Sequence, residues 1–303
     1  MVRRSIFLLA AAVVMLYFSI ILFMLSPLHG TKNSYYSGGY MNHFSFRHDP
    51  PVTWCTELRW RNPPSPEVVA LVSYPGSGNT WLRYLLQQVT GLVTGSIYMD
   101  YGLRMHGFPA ENVTDGSVLV VKTHEAPPIE PNKFKSAILL IRNPRDAILA
   151  DFNRIHKGHI GTAPKSAFEK KTHEHKKSAD WSTYVSTQLT VWESLHSLWL
   201  TRYLGPVHIV FYEVLVRDTR NTLQGILDFL NHNVTEADMN CALGNKEGIY
   251  RRKKKHQDFD PFTAEMYRAL DQVRNRVLAM VMDYKKKHSN VVSLTMLETN
   301  RIL

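Results

Sequence analysis

Cysteine is scarce in this chain of 303 residues, with only Cys55 and Cys241 present. Two cysteines so far apart cannot build a cysteine-rich module, and they could either pair in an oxidising compartment or stay free and buried. Internal repeats and low-complexity tracts are missing as well. With 44% hydrophobic and 20% charged residues, the composition is that of an ordinary globular protein and excludes a chain disordered throughout. Closed metal-binding spacing is also lacking: His173-Glu174-His175 lies in a polar stretch with no third ligand in view. Acidic residues fall short of basic ones, 26 against 36. The resulting net charge of +10 suits anionic partners: nucleic acid, anionic lipid, phosphate-bearing cofactors or acidic polysaccharides.

A long apolar run is present. Ile6 to Leu25 carries no charge and is long enough to cross a bilayer core as a helix. Arg3 and Arg4 precede it, so the positive-inside rule places residues 1–5 in the cytosol and the rest in a lumen. The run exceeds the apolar core of a cleaved signal peptide and no clear small-x-small cleavage site follows it, so an uncleaved anchor over residues 6–25 is expected. Residues 26–66, rich in Gly, Pro, Ser, Tyr and Asn, read as a stem, and residues 67–303 as one folded domain. Lumenal topology would weaken the nucleic-acid option and make Asn112 and Asn233, each in an Asn-x-Thr sequon, acceptors for N-glycans.

Four short apolar runs predict buried strands: Val68 to Ser73, Val118 to Lys122, Ala137 to Arg142 and Val207 to Tyr212. Helical periodicity lies between and after them, at Leu82, Leu85, Leu86 and Val89 and at Leu223, Ile226, Leu227 and Leu230. Longer candidates cover Trp181 to Leu200 and Thr263 to Tyr284. Alternating strands and helices predict an α/β fold with a P-loop-like parallel sheet flanked by helices.

The first strand runs into Ser73-Tyr74-Pro75-Gly76-Ser77-Gly78-Asn79-Thr80-Trp81, which opens a helix ending near Gly91. Glycines allow a tight turn in which N–H groups converge, and the helix N-terminus adds partial positive charge. A plain Gly/Ser/Asn turn is the alternative. The Walker pattern is not met, because Asn79 stands where its lysine would be, and a Mg²⁺-dependent nucleotide hydrolase or kinase loses support. Lys122 and His124 close the second strand at the carboxyl edge, where α/β sheets bind ligands. A neutral imidazole there can serve as a general base. Arg142 closes the third strand with a planar fork of donors that matches a phosphate.

These segments, in this order, resemble the sulfotransferases that use 3′-phosphoadenosine 5′-phosphosulfate (PAPS). The loop is similar to the family's YPKSGTTW, Val121-Lys122-Thr123-His124 to its KTH, Arg142-Asn143-Pro144-Arg145-Asp146 to its RNPxDxxxS, and Val210-Phe211-Tyr212-Glu213 to its FYED. The resemblance implies that Ser77, Gly78, Asn79 and Thr80 hold the 5′ end of PAPS and that Trp81 stacks on adenine. It implies that Arg142 binds the 3′-phosphate, that Tyr212 approaches adenine, and that the basic run with Arg251, Arg252 and Lys253 closes on the 3′-phosphate. By the same resemblance His124 takes the acceptor's proton beside Lys122, with Glu125 as the alternative base, and no metal is needed. Two departures stand out: Gly76 replaces the family's loop lysine, and Ala150 its motif serine. The loop looks most like the WSC-domain-containing sulfotransferases, although two cysteines cannot supply a WSC module. That branch implies a single-pass type II Golgi membrane protein sulfating glycans, sialylated ones among them. A catalytically weak PAP- or glycan-binding protein of the same fold is the competing expectation.

Overall fold

The computed structural model describes residues 52–130, 133–158, 161–169, 180–250 and 259–288. Five parallel strands form one sheet: β1 (Val69–Ser73), β2 (Gly95–Ser96), β3 (Val121–Thr123), β4 (Ser136–Ile141) and β5 (Val207–Phe211), in the order β2-β3-β1-β4-β5. Register runs without a break: Leu71 lies opposite Lys122 on one side and Ile138 on the other. The predicted strand at 118–122 is realised later and shorter, because Leu119 donates to Val93 O before the ladder with β1 begins. The two-residue β2 had no sequence signal of its own.

Period-2 alternation assigns the two faces of the sheet. Ala70, Val72, Ala137, Leu139 and Ile141 face one side, while Leu71, Ile138 and Leu140 face the other. On the first side lie α3 (Pro144–Lys157), α4 (Trp181–Thr201) and α8 (Ala264–His288), which contribute Phe152, Trp192 and Val277. On the second lie α1 (Asn79–Thr90), α6 (Thr219–Phe229) and α7 (Glu236–Gly244), through Leu85, Ile226 and Met239. Short helices α2 (Tyr101–Met105) and α5 (Tyr212–Arg217) fill the connections. Burying strands on both faces explains why they read as continuous apolar runs rather than alternating ones. Each fully buried aliphatic side chain contributes about 1.5–3 kcal/mol.

Helix ends follow local chemistry. Gly91 closes α1 at φ 64°, its N–H donating to Gln87 O over 2.9 Å. Asn143 caps α3 by accepting from Arg145 N, ahead of Pro144 in the first turn. Thr235 and Asp238 form a reciprocal capping box on α7.

Residues 52–66, expected in the stem, lie against the domain. Arg59 and Leu92 form a parallel bridge, Arg61 N donates to Ser117 O, and Gln88 bonds both Cys55 N and Thr53 O. Cys55 and Cys241 are joined as a disulfide, tying this arm to α7. Apolar Trp54 and Leu58 inside the Gly/Pro-rich composition supply the anchor. Among the described residues no helix is long and apolar enough to cross a membrane. The 6–25 segment, the 1–5 tail, the rest of the stem, His173-Glu174-His175 and the Arg251, Arg252 and Lys253 run lie outside the described residues.

Candidate active site

All strands are parallel, so the residues following β1, β3, β4 and β5 meet along one carboxyl edge. The chain moves from β1 to β3 on one side and to β4 on the other, creating the switch point where such sheets bind ligands. The motif residues Ser77, His124, Arg142 and Tyr212 all follow these strand ends.

The loop after β1 turns through Gly76 at φ 80° and Gly78 at φ 92°, both in the left-handed region. Gly78 also has no room for a side chain, since a Cβ would lie 2.5 Å from the Tyr212 ring. It leads into α1, whose N-terminus has no side-chain cap. An uncapped first turn of this kind is where a helix can present N–H groups to an anion. Ser77 Oγ is buried without a protein partner and belongs to the same cradle. Asn79 sits there too, but its Nδ2 donates back to Leu71 O (3.2 Å) and Ser73 Oγ (3.1 Å). Its amide is committed to β1, so only its backbone faces the cradle's task. Thr80 is half-buried in the first turn.

The structure accounts for glycine at position 76. A Cβ there would stand 2.3 Å from Ala147 O, 2.8 Å from Asp151 N and 3.2 Å from Ala150 Cβ. The loop is seated directly on α3, where Ala147, Ala150 and Asp151 leave no room for a side chain at position 76. Gly76→Lys therefore should not improve the site. Strain at positive φ and collision with helix backbone should weaken PAP binding at least tenfold and destabilise the fold by roughly 1–3 kcal/mol, the usual range for overpacking. Calorimetry and thermal melting of the variant check it.

His124 is half-buried after β3. Its Nδ1 lies 2.7 Å from Ser73 O, and since a carbonyl can only accept, the proton sits on Nδ1 and the Nε2 lone pair is left for chemistry. The ring stacks on Tyr98 at 5.6 Å, and the Tyr98 hydroxyl accepts from His124 N. Burial first, and then the positive charge of Lys122, push its pKa well below that of an ordinary histidine. Lys122 is 7% exposed, and desolvation lowers its pKa to about 8. Glu125 is exposed, and its carbonyl accepts from Trp199 Nε1.

Arg142 donates from Nη1 to Gly76 O over 2.8 Å and lies 4.4 Å above the Tyr212 ring, while its buried Nε has no protein partner. Glu213 holds this turn by accepting from Asn143 N, and burial raises its pKa. Tyr212 is wedged between Gly78, Arg142 and Trp81. Trp81 is only 2% exposed, with its Nε1 donating to Lys246 O. A base can stack on that indole only if Tyr212 or the 245–250 segment yields.

Several site residues gave no sequence signal. Ser73 orients His124 through its carbonyl, and Tyr98 stacks beneath it. Arg83 and Glu111 form a fully buried ion pair of 2.7 Å whose charges reach Lys122. Arg154, on α3, pairs with Asp151 at 2.7 Å. Asn112 and Asn233 are both exposed. Among the described residues no cluster of His, Cys, Asp or Glu could hold a metal ion.

An uncapped glycine-rich loop, a tautomer-fixed histidine and a strand-end arginine thus stand together at the carboxyl edge of an α/β sheet, with no Walker lysine in the loop. Residues 66–258 match the sulfotransferase domain family. The chain is 46% identical over 254 residues to a WSCD family member of Aedes aegypti, covering 76% of this chain and 78% of that one. A WSCD family member of Drosophila pseudoobscura pseudoobscura is 48% identical over 222 residues, 73% and 68% of the two chains. A crystal structure of mouse sulfotransferase SULT7A1 complexed with PAP aligns at 15% identity and TM-score 0.49, over 75% and 90% of the two chains. The chain belongs to the sulfotransferase domain family and, within it, to the WSCD family.

Proposed function

We propose that this protein transfers a sulfuryl group from PAPS to a hydroxyl of a glycan acceptor, sialylated glycans among them. The carrying observation is the pairing of an anion cradle with a neutral base at the same sheet edge: the partnerless Ser77 hydroxyl and Arg142 Nε at one end, and His124 Nε2 at the other. Bound there, PAPS would supply an activated sulfur atom and a phosphate leaving group. The first-turn N–H groups of α1 and Ser77 bind its 5′ end, and Arg142, with Arg251, Arg252 and Lys253, its 3′-phosphate. Tyr212 and Trp81 border the base. His124 Nε2 accepts the proton of the attacking hydroxyl, and Lys122 offsets negative charge that develops during transfer.

Arg142→Ala should weaken PAP binding by roughly 1.5–3 kcal/mol, the value of a hydrogen bond to a charged group. Calorimetry with PAP measures this directly, and unchanged affinity in a folded variant removes Arg142 from the site. Sulfate transfer from labelled PAPS to a glycan array tests the reaction and separates it from a second reading. In that reading the protein binds PAP or glycan but turns over little, as a loop without any basic residue would favour.

The setting we propose is the Golgi membrane, with residues 6–25 as a type II anchor and the domain lumenal. Glycosidase treatment should then shift the mobility of the protein from cells through glycans on Asn112 and Asn233. An unchanged mobility, together with digestion of the domain in intact microsomes, would reverse the topology.

A further inference from the structure

Sulfuryl transfer moves negative charge onto the oxygen that leaves sulfur, and a preorganised cation near that oxygen is the strongest aid a site can offer. The loop from Tyr74 to Trp81 contains no lysine or arginine. Arg142 spends one donor on the Gly76 carbonyl. The last turn of α3 supplies another candidate. Gly76 rests on the Ala147–Asp151 turn of that helix, and Arg154 lies at the next turn. Asp151, 3% exposed, accepts from Arg154 Nε at 3.0 Å and Nη2 at 2.7 Å, and its second oxygen accepts from Tyr184 OH at 2.9 Å. Tyr184 is itself packed on Phe152 and Trp181. A long cationic side chain in the last turn of a helix would ordinarily be mobile, yet this one is held by a buried carboxylate with a third group behind it.

From this placement we infer that Arg154 is a further catalytic residue, the cation that α3 supplies to the sulfuryl group where the loop carries none. The inference rests on the sulfotransferase reading above. In the step it serves, the acceptor oxygen bonds to sulfur as the bond from sulfur to the bridging oxygen breaks. The proton passes to His124 Nε2, and the electron pair leaves on the phosphate oxygen of PAP. Asp151 and Tyr184 are positioning residues for Arg154. Burial is the main cause that lowers the pKa of Lys122 and His124, and the Arg154 guanidinium adds to it at both. The groups acting on His124 are Lys122 from β3, Arg83 from α1 and Arg154 from α3, with Tyr98 stacked on its ring.

Arg154→Gln in the full chain tests this with two readouts. Turnover of labelled PAPS should fall about 10²-fold or more, with PAP affinity within threefold of wild type and partial recovery in Arg154→Lys, because charge and not shape is the requirement. Independently of turnover, NMR titration should show the His124 pKa rising in Arg154→Gln and remaining near its wild-type position in Arg154→Lys. A purely structural role would move neither in this pattern. Wild-type turnover in Arg154→Gln, or a His124 titration that ignores the loss of charge, overturns the inference. If His124→Ala abolishes activity while Arg154→Gln retains it, the sulfotransferase reading stands and only the role of Arg154 falls. If the wild-type protein transfers no sulfate and binds no PAP, that reading fails, and an unmoved His124 titration would sink the Arg154 placement separately.

Discussion

His124→Ala should lower kcat by roughly 10²–10⁴-fold while leaving PAP affinity within a few-fold, because the proposed partner of Nε2 is the acceptor hydroxyl and not the nucleotide. The Nδ1 bond to Ser73 O fixes which nitrogen acts, so Ser73 and its bond from Asn79 Nδ2 are part of the base's support. The pH dependence follows from two groups. His124 is active when neutral, and with its pKa held well below 6.5 the acid limb of kcat should lie well under that value. Lys122 acts when charged, and with its pKa near 8 the alkaline limb should fall at about that pH. A profile measured from pH 4 to 10 checks both limbs. An acid limb at 6.5 or above contradicts the half-buried, cation-flanked histidine. If Glu125→Gln abolishes transfer and His124→Ala spares it, the base is the exposed carboxylate instead.

How legible these features were depends on whether they are local. The four strands could be read because each is buried on both faces and forms a continuous apolar run. The helices over 181–201 and 264–288 could be read because their apolar stripes recur at three and four. Gly76, Gly78, His124 and Arg142 were visible as strand-end residues in an ordered series. What stayed hidden depends on long-range contact. The docking of residues 52–66 rests on ladder bonds to Leu92 and Ser117 that no composition announces. Ser73 acts through its carbonyl, which every residue has. Asn79 looks like a phosphate ligand in sequence, yet it turns its amide toward β1 because Leu71 O and Ser73 Oγ lie within reach. The reason for glycine at 76 became visible only when α3 was seen against it.

The largest stability effect should come from Arg83, a residue that reads in sequence as one more polar position on α1. Its guanidinium is fully buried, bonded to Glu111, to Thr94 Oγ1 and to Thr94 O, and stacked 4.4 Å from Phe108. Arg83→Met keeps the apolar stem but strands the Glu111 carboxylate, whose Oε2 already lacks a partner, and should cost about 3–5 kcal/mol. Adding Glu111→Leu removes the stranded charge, so the double variant should recover much of that loss. Chemical denaturation of the two variants measures the difference; equal destabilisation would show that the pair's value lies in packing. The consequence reaches the active site through Lys122, whose pKa Arg83 lowers and Glu111 raises. Losing Arg83 alone should move the alkaline limb of kcat to higher pH. Glu111→Gln should move it lower, leaving Lys122 less charged at neutral pH and slowing transfer there. The buried pair thereby couples fold stability to the charge state of Lys122.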